Sequence, residues 1–129
     1  MGGSGVGVGR AHRIVAEVLL ALVLVQAVVA GHFLFGDWSI QVHGYLGNGS
    51  FVLGLVLVAL ALVDRTDLTR LVLSAVLVVA LFAQTGLGYV GRETPEAAAW
   101  HVPLGVTIFG FTAFLAGRPV GVSARPSRD

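Results

Sequence analysis

The chain has 129 residues, of which 56% are hydrophobic and only 12% are charged, and its mean hydropathy is +0.88. A soluble domain has about a quarter of its residues charged, so this composition excludes an ordinary soluble domain and indicates a small membrane protein. The net charge of +1 does not point to any partner, and the sequence has no basic patch to support nucleic-acid binding. The lack of cysteine excludes disulfides, thiol catalysis, covalently attached haem and iron–sulfur clusters.

Four apolar stretches are each long enough to cross a bilayer as a helix, which takes roughly 20 residues. They cover residues 14–35, 40–63, 68–90 and 97–116. Helix-capping residues stand in the short breaks between them: Asp37 or Ser39 before the second stretch, Thr66 or Asp67 before the third, and Thr94-Pro95 before the fourth, which Gly117 ends.

Connections this short require neighbouring helices to be antiparallel. We therefore predict an all-α membrane protein, an antiparallel four-helix transmembrane bundle over residues 14–116. Residues 1–13 are expected to form a flexible cytoplasmic tail and residues 117–129 a second cytoplasmic tail. A cleaved signal peptide is the alternative for the first stretch, but its apolar run is longer than such peptides have.

The arginines are distributed unequally between the two ends of the predicted bundle. Seven fall on the side of the termini and of the connection between the second and third helices: Arg10, Arg13, Arg65, Arg70, Arg118, Arg125 and Arg128. Only Arg92 falls on the other side, beside Asp37, Glu93 and Glu96. Because cytoplasmic loops of membrane proteins are enriched in basic residues, we predict a multi-pass protein of the inner (plasma) membrane with both termini cytoplasmic.

Polar side chains at membrane depth are costly and are candidates for function. The apolar stretches contain seven: Glu17, Gln26, His32, His43, Asn48, Gln84 and His101. Glu17 follows Arg13 by four residues, the spacing of an ion pair on one helix; its functional alternative is a small proton-coupled transporter that uses Glu17. Gln26 and Asn48 are expected to form interhelical hydrogen bonds. His12, outside the stretches, is expected to be solvated or at the headgroups.

Three histidines, His32, His43 and His101, fall near the same end of the predicted bundle, and Gln84 lies somewhat deeper on that side. A glycine follows one turn deeper after two of them, Gly47 after His43 and Gly105 after His101. Such a glycine leaves room for a flat macrocycle between helices, and two neutral imidazoles suit a six-coordinate haem. The alternative is a cofactor-free scaffold or accessory subunit, in which the glycines allow close packing and the histidines form hydrogen bonds.

The sequence around these histidines resembles a known family. Gln41-Val-His43-Gly-Tyr-Leu-Gly47 resembles the second helix of one four-helix half of haem A synthase, and Gln84-Thr-Gly-Leu-Gly88 with Trp100-His101-Val-Pro-Leu-Gly105 resembles its third and fourth helices. Small uncharacterised four-helix membrane proteins of high-GC bacteria are similar. The resemblance covers most of residues 40–112 and implies that His43 and His101 are the axial ligands of a haem. It does not imply haem-modifying activity, because that family has two such halves in one chain.

We therefore expect a b-type haem protein with bis-histidine ligation that is an electron carrier rather than an enzyme. His43 and His101 are the expected metal ligands, and the site is expected to include Gly47, Gly105, Gln84 and His32. The expected surroundings are the lipid bilayer, with quinol or a redox complex as the electron partner, and a homo-oligomer is compatible with the sequence.

Overall fold

The computed structural model describes residues 3–36 and 38–120, and within them it contains four helices and no strand. These are α1 (Gly3–Leu34), α2 (Ile40–Val63), α3 (Leu68–Val90) and α4 (Pro95–Ala116). All four are long and apolar enough to cross a membrane. The predicted all-α, four-helix, multi-pass membrane protein is therefore confirmed.

The helix ends follow from local chemistry. The Ser39 hydroxyl accepts a hydrogen bond from the Gln41 N–H at 3.2 Å and begins α2. The Asp67 carboxylate accepts from the Arg70 N–H at 2.8 Å and begins α3. Thr94 precedes Pro95 at the start of α4, and Gly117 ends that helix. Asp37, the alternative cap of α2, lies outside the described residues.

Each helix packs against two neighbours, α1 on α2, α2 on α3, α3 on α4 and α4 on α1, so that α1 and α3 lie on one diagonal of the bundle and α2 and α4 on the other. The centre is an apolar core whose largest fully buried side chains come from all four helices: Leu19, Leu57, Leu77 and Ile108. The outer surface is apolar as well, with Phe82 and Val106 each 69% exposed. A helix that is apolar on every side is typical of a membrane span, where lipid contacts the outer face.

The start of α1 differs from the sequence-based expectation. Residues 3–13 were expected to be a flexible tail, but they are helical and continuous with the rest of α1. The reason is tertiary packing: a Cβ at Gly9 would lie 2.9 Å from Val120 Cγ1 and 3.4 Å from an Arg70 guanidinium nitrogen, so this glycine face lies against the end of the bundle. The second predicted tail lies outside the described residues from residue 121 onward.

We call the end of the bundle with the start of α1, the α2–α3 connection and the end of α4 the terminal end, and the opposite one the histidine end. The terminal end holds a buried ion cluster. Arg70, 7% exposed, pairs with Asp64 at 3.6 Å and with Asp67 at 3.3 Å, and Arg118 pairs with Asp67 at 3.6 Å. The Thr66 hydroxyl donates to Asp64 at 2.5 Å and lowers the pKa of that carboxyl. These contacts hold the α2–α3 connection against the start of α3 and the end of α4.

His12 corrects a second expectation. It was expected to be solvated or at the headgroups, but it is 2% exposed. Its Nε2 lies 2.9 Å from the Ser74 hydroxyl, across the α1–α3 diagonal. The helical extension of α1 carries His12 into the bundle, where a hydrogen bond offsets the cost of burying its ring nitrogen.

Candidate functional site

The histidine end contains one polar side chain from each helix: Gln26 from α1, His43 from α2, Gln84 from α3 and His101 from α4. We call these four residues the polar layer. All four are half-buried, and they are linked to one another by hydrogen bonds and a ring contact. The structure thus brings together the two predicted metal ligands and the predicted site residue Gln84.

His43 and His101 face each other across the α2–α4 diagonal. Their ring centroids are 5.9 Å apart and their planes are inclined by 66°. Two imidazoles bound to one metal ion, with metal–nitrogen bonds of about 2 Å, have their ring centres roughly 6 Å apart. The two rings meet edge to face, so binding one ion between them requires a ring to turn until both Nε2 atoms point at the ion.

The contacts of His101 determine where its proton lies. Its Nδ1 is 3.0 Å from the main-chain carbonyl oxygen of Gln84, and because a carbonyl only accepts, Nδ1 carries the hydrogen. Nε2 then accepts from the side-chain amide of Gln84, whose nitrogen is 3.2 Å away. A metal-bound histidine usually donates its other ring N–H to an acceptor such as a backbone carbonyl. In His101 that N–H is on Nδ1, so Nε2 carries the lone pair that could bind a metal.

Gly88 allows the close approach of His101 to α3. A Cβ at this position would lie 2.9 Å from the ring carbon Cε1 and 3.3 Å from Nδ1, closer than ordinary van der Waals contact. The ring is therefore held against the backbone of α3, one turn beyond Gln84. Gly88 ends one of the motifs that resemble haem A synthase, but it was not among the residues predicted for the site.

His43 is held by Gln26. With the amide of Gln26 oriented as its surroundings require, its nitrogen donates to His43 Nδ1 at 2.8 Å and to the His43 carbonyl oxygen at 3.0 Å. Its oxygen accepts from the Gly47 N–H at 2.6 Å. Because Nδ1 accepts, a neutral His43 carries its proton on Nε2, the reverse of His101.

The two glycines of the predicted site do leave room beside the histidines. With Gln26 in this orientation, a Cβ at Gly47 would lie 3.0 Å from the amide oxygen of Gln26, and a Cβ at Gly105 would lie 3.0 Å from the amide nitrogen of Gln84. The room is filled by a glutamine amide from the preceding helix in both places. The side-chain oxygen of Gln84 is buried, and within residues 3–36 and 38–120 it has no hydrogen-bond partner, so one strong acceptor in the site is left unused.

Other candidates surround the polar layer. His32, a predicted site residue, is exposed and stacks on Trp38 at 4.5 Å between centroids. Asn48 donates to the Tyr89 hydroxyl at 3.1 Å, an interhelical hydrogen bond as predicted. The Arg92 guanidinium lies 4.8 Å from the centre of the Tyr89 ring and close to Gly44, where a Cβ would be 3.1 Å from it. Arg92 therefore sits beside His43 at the mouth of the site.

Glu17 lies away from this end. Its carboxylate accepts from Arg13 at 2.9 Å, and both side chains are about half exposed, at 50% and 53%. The predicted i,i+4 ion pair is confirmed. The carboxylate on which the transporter alternative depends is therefore at the outer surface of the bundle and already paired.

A repeat in the sequence marks the polar layer, although sequence reasoning missed it and treated Gln26 only as a packing hydrogen bond. Seventeen residues separate Gln84 from His101, the same spacing separates Gln26 from His43, and a glycine follows each histidine by four residues. The sequence offset from Gln26 to Gln84 is the same as that from His43 to His101. The same offset relates the buried Leu19 and Leu57 of the α1–α2 hairpin, the first hairpin, to the buried Leu77 and Leu115 of the α3–α4 hairpin, the second hairpin. Each helical hairpin thus contributes one equivalent half of the site.

No protein-family model matches the chain, and comparison with curated proteins and with solved structures finds no match either. The resemblance of the two histidine motifs to haem A synthase is thus neither supported nor refuted by these comparisons.

Proposed function

We propose that this protein is a membrane-embedded b-type haem protein in which His43 and His101 are the two axial ligands, and that it carries electrons. The observation that carries the proposal is the pair of imidazoles facing each other across the bundle at 5.9 Å. Within the described residues no three His, Cys, Asp or Glu side chains converge on one point. A bare ion such as zinc needs three or four protein ligands, whereas haem supplies four nitrogens itself and needs two.

The residues of the polar layer fit this group in their donor chemistry. His101 already donates from Nδ1 to a main-chain carbonyl, so its Nε2 is a lone-pair donor. The glutamine amides fill the spaces beside Gly47 and Gly105, and they are the flexible ends of long side chains that can give up these positions. The unused oxygen of Gln84 is an acceptor available to a bound ligand or to water.

Electron transfer is the activity that such a site supports. A haem held there supplies a reversible one-electron iron couple. Ligation by both histidines leaves no coordination position for oxygen or another small ligand, so oxygen chemistry is not favoured. The site lies near one end of the bundle rather than at its centre, within reach of a quinol or a redox complex at the membrane surface. Arg92, beside His43, is placed to neutralise the carboxylates that haem carries.

We further propose that the terminal end faces the cytoplasm and the histidine end faces outward across the inner (plasma) membrane. The support is the distribution of arginine. Of the seven counted toward the cytoplasmic side, five lie in the described residues, at Arg10, Arg13, Arg65, Arg70 and Arg118. Only Arg92 lies at the histidine end, and basic residues are retained on the cytoplasmic side.

The decisive experiment is the absorption spectrum of the detergent-purified protein from haem-sufficient cells, oxidised and then reduced. We expect a Soret band and a low-spin spectrum in both states, one haem per chain, and loss of most of the haem in His43→Ala and in His101→Ala. Asn48→Ala is the control, because it removes an interhelical hydrogen bond of α2 without touching either imidazole. A folded wild-type protein that has no Soret band and takes up no added haem would refute the proposal.

A second pair of variants tests the space beside the ligands. Gly105→Leu fills the position now occupied by the Gln84 amide, and we expect it to lose haem because overpacking a tight site costs about 1–3 kcal/mol. Gly110→Leu is the matched control on the same helix, since nothing lies within 4 Å of a Cβ there. Equal haem loss in both variants would point to general damage and remove the evidence for a site at Gly105.

A cofactor-free scaffold is the second candidate, and the hydrogen bonds within the polar layer favour it. Gln26 and His43, and likewise Gln84 and His101, already satisfy most of one another's polar groups, as packing glutamines and histidines in membrane bundles do. The same spectrum separates the two candidates. We do not propose transport through Glu17, because this carboxylate is paired with Arg13 on the outer surface.

A further inference from the structure

The two halves of the polar layer have the same residues but hold their histidines differently. In the second hairpin the main-chain carbonyl of Gln84 accepts from His101 Nδ1. In the first hairpin it is the side-chain amide of Gln26 that meets His43 Nδ1. A main-chain carbonyl in a helix can only accept, whereas a side-chain amide can present either its oxygen or its nitrogen. Nδ1 of His101 therefore faces a main-chain atom that can only accept, whereas Nδ1 of His43 faces a side-chain amide that can present either atom.

We propose that Gln26 is a positioning residue that decides which ring nitrogen of His43 carries the proton, and thereby whether His43 Nε2 can bind a metal. The inference rests on the proposed function for the identity of the ligand, but not for the position of the proton. On this proposal His101 can bind a metal through Nε2 whatever the orientation of Gln26, whereas His43 can do so only when Gln26 presents its oxygen to Nδ1.

The backbone of α2 controls the orientation of the Gln26 amide. The amide oxygen accepts from the Gly47 N–H at 2.6 Å and the amide nitrogen donates to the His43 carbonyl at 3.0 Å, so two main-chain contacts turn the nitrogen toward His43 Nδ1. Gly47 makes these contacts feasible, since a Cβ there would lie 3.0 Å from the amide oxygen in this orientation. For His43 Nε2 to become a donor atom, Nδ1 must carry the proton and Gln26 must present its oxygen, which gives up both backbone contacts.

A carboxylate at this position removes the choice. In Gln26→Glu both side-chain atoms near the ring are oxygens, so an ionised carboxylate can only accept from His43 Nδ1 and still accepts from the Gly47 N–H. This variant therefore moves the proton to Nδ1 and leaves Nε2 with its lone pair. Gln26→Met has nearly the same shape and forms no strong hydrogen bond with the ring, so it releases the preference altogether.

The test of the proton position needs no haem. Nitrogen NMR of ¹⁵N-histidine-labelled apoprotein in detergent at pH 8 distinguishes the two neutral forms of each imidazole, and single histidine substitutions assign the signals. We expect wild-type His43 to carry its proton on Nε2 and His101 on Nδ1. The His43 signals should change to the Nδ1–H form in Gln26→Glu and to a mixture in Gln26→Met, while Asn48→Leu leaves both histidines unchanged.

Two results would overturn the inference: a wild-type His43 already in the Nδ1–H form, or His43 signals that do not respond to either Gln26 variant although the protein is folded. The haem-loaded protein gives an independent measurement. Because an anionic acceptor on Nδ1 raises the basicity of a ligand imidazole, Gln26→Glu should keep its haem and lower the midpoint potential. An unchanged potential in Gln26→Glu contradicts the inference. A wild-type protein without a Soret band ends the proposed function, while the NMR measurement still decides the role of Gln26.

Discussion

Replacing Gly88 with alanine should disturb His101 without adding more than one methyl group to the protein. The new Cβ would lie 2.9 Å from the ring carbon Cε1 and 3.3 Å from Nδ1. The ring cannot retreat freely, because Nδ1 is bonded to the Gln84 carbonyl at 3.0 Å and a retreat lengthens that bond. Overpacking of this kind costs about 1–3 kcal/mol, and a weakened hydrogen bond adds about 0.5–1.5 kcal/mol.

Gly86→Ala is the matched control, two residues earlier on the same helix. Nothing lies within 4 Å of a Cβ at Gly86, and exchanging glycine for alanine inside a helix contributes about 1 kcal/mol of helix propensity at either position. That contribution cancels in the comparison. We therefore expect the Gly88→Ala protein to be less stable than the Gly86→Ala protein by about 1.5–4.5 kcal/mol, measured as the free energy of unfolding in mixed micelles.

The same two variants distinguish packing from function. If His101 is a ligand, Gly88→Ala should also lose bound haem or convert part of it to a high-spin form, whereas Gly86→Ala keeps the wild-type spectrum. Equal stability of the two variants would show that the ring of His101 does not lie against α3 as the structure has it, and the assignment of its proton to Nδ1 would lose its basis.

Three more predictions follow from other parts of the molecule. Reduced wild-type protein should show no spectral change with carbon monoxide, whereas His43→Gly should, because one coordination position is then open; a shift in intact wild-type protein contradicts bis-histidine ligation. Hydrogen bonding to Thr66 lowers the pKa of Asp64 below its ordinary 3.8. The ionised carboxylate therefore stabilises the folded protein above about pH 4, and this stabilisation is lost as the pH falls through the lowered pKa. Asp64→Asn should weaken the acid dependence of thermal unfolding, and an identical dependence in both proteins contradicts this. In this cysteine-free chain, Glu93→Cys should react with an impermeant maleimide added to intact cells and Asp64→Cys should not; the reverse result inverts the proposed orientation.

The helices were predictable from the sequence because their signals are local. Ser39, Asp67, Thr94-Pro95 and Gly117 lie at the ends that the structure gives to α2, α3 and α4. The start of α1 was not predictable in this way. Its glycine-rich first turns have low helix propensity, and they are helical because Gly9 packs against Val120 and Arg70, a contact between distant parts of the chain that no window of sequence contains.

The candidate site was predictable in its composition but not in its connections. Topology alone placed His43, His101 and Gln84 near one end of the bundle, and the structure brings them into one layer. Helical periodicity gives each residue a depth and a direction on its own helix, but it does not say that α2 and α4 are diagonal, nor that Gln26 and Gln84 fill the spaces beside Gly47 and Gly105. The opposite proton positions of the two histidines depend on interatomic contacts of about 3 Å, which no sequence pattern specifies.

The two polar ends of the bundle differ in a way that bears on where function lies. At the terminal end Arg70 is held by two carboxylates beside the buried hydrogen bond between His12 and Ser74, so this end is a rigid frame. At the histidine end the polar layer is built from neutral imidazoles and amides, one amide oxygen has no partner within the described residues, and each amide is the movable end of a long side chain. Between the ends, the fully buried Leu19, Leu57 and Leu77 separate the polar layer from the ion cluster.

A ligand that enters the polar layer has only to displace neutral, uncharged contacts, while the terminal end keeps the four helices in register. This asymmetry is the physical reason for assigning binding to His43 and His101 and a structural role to His12, which is buried in the rigid end.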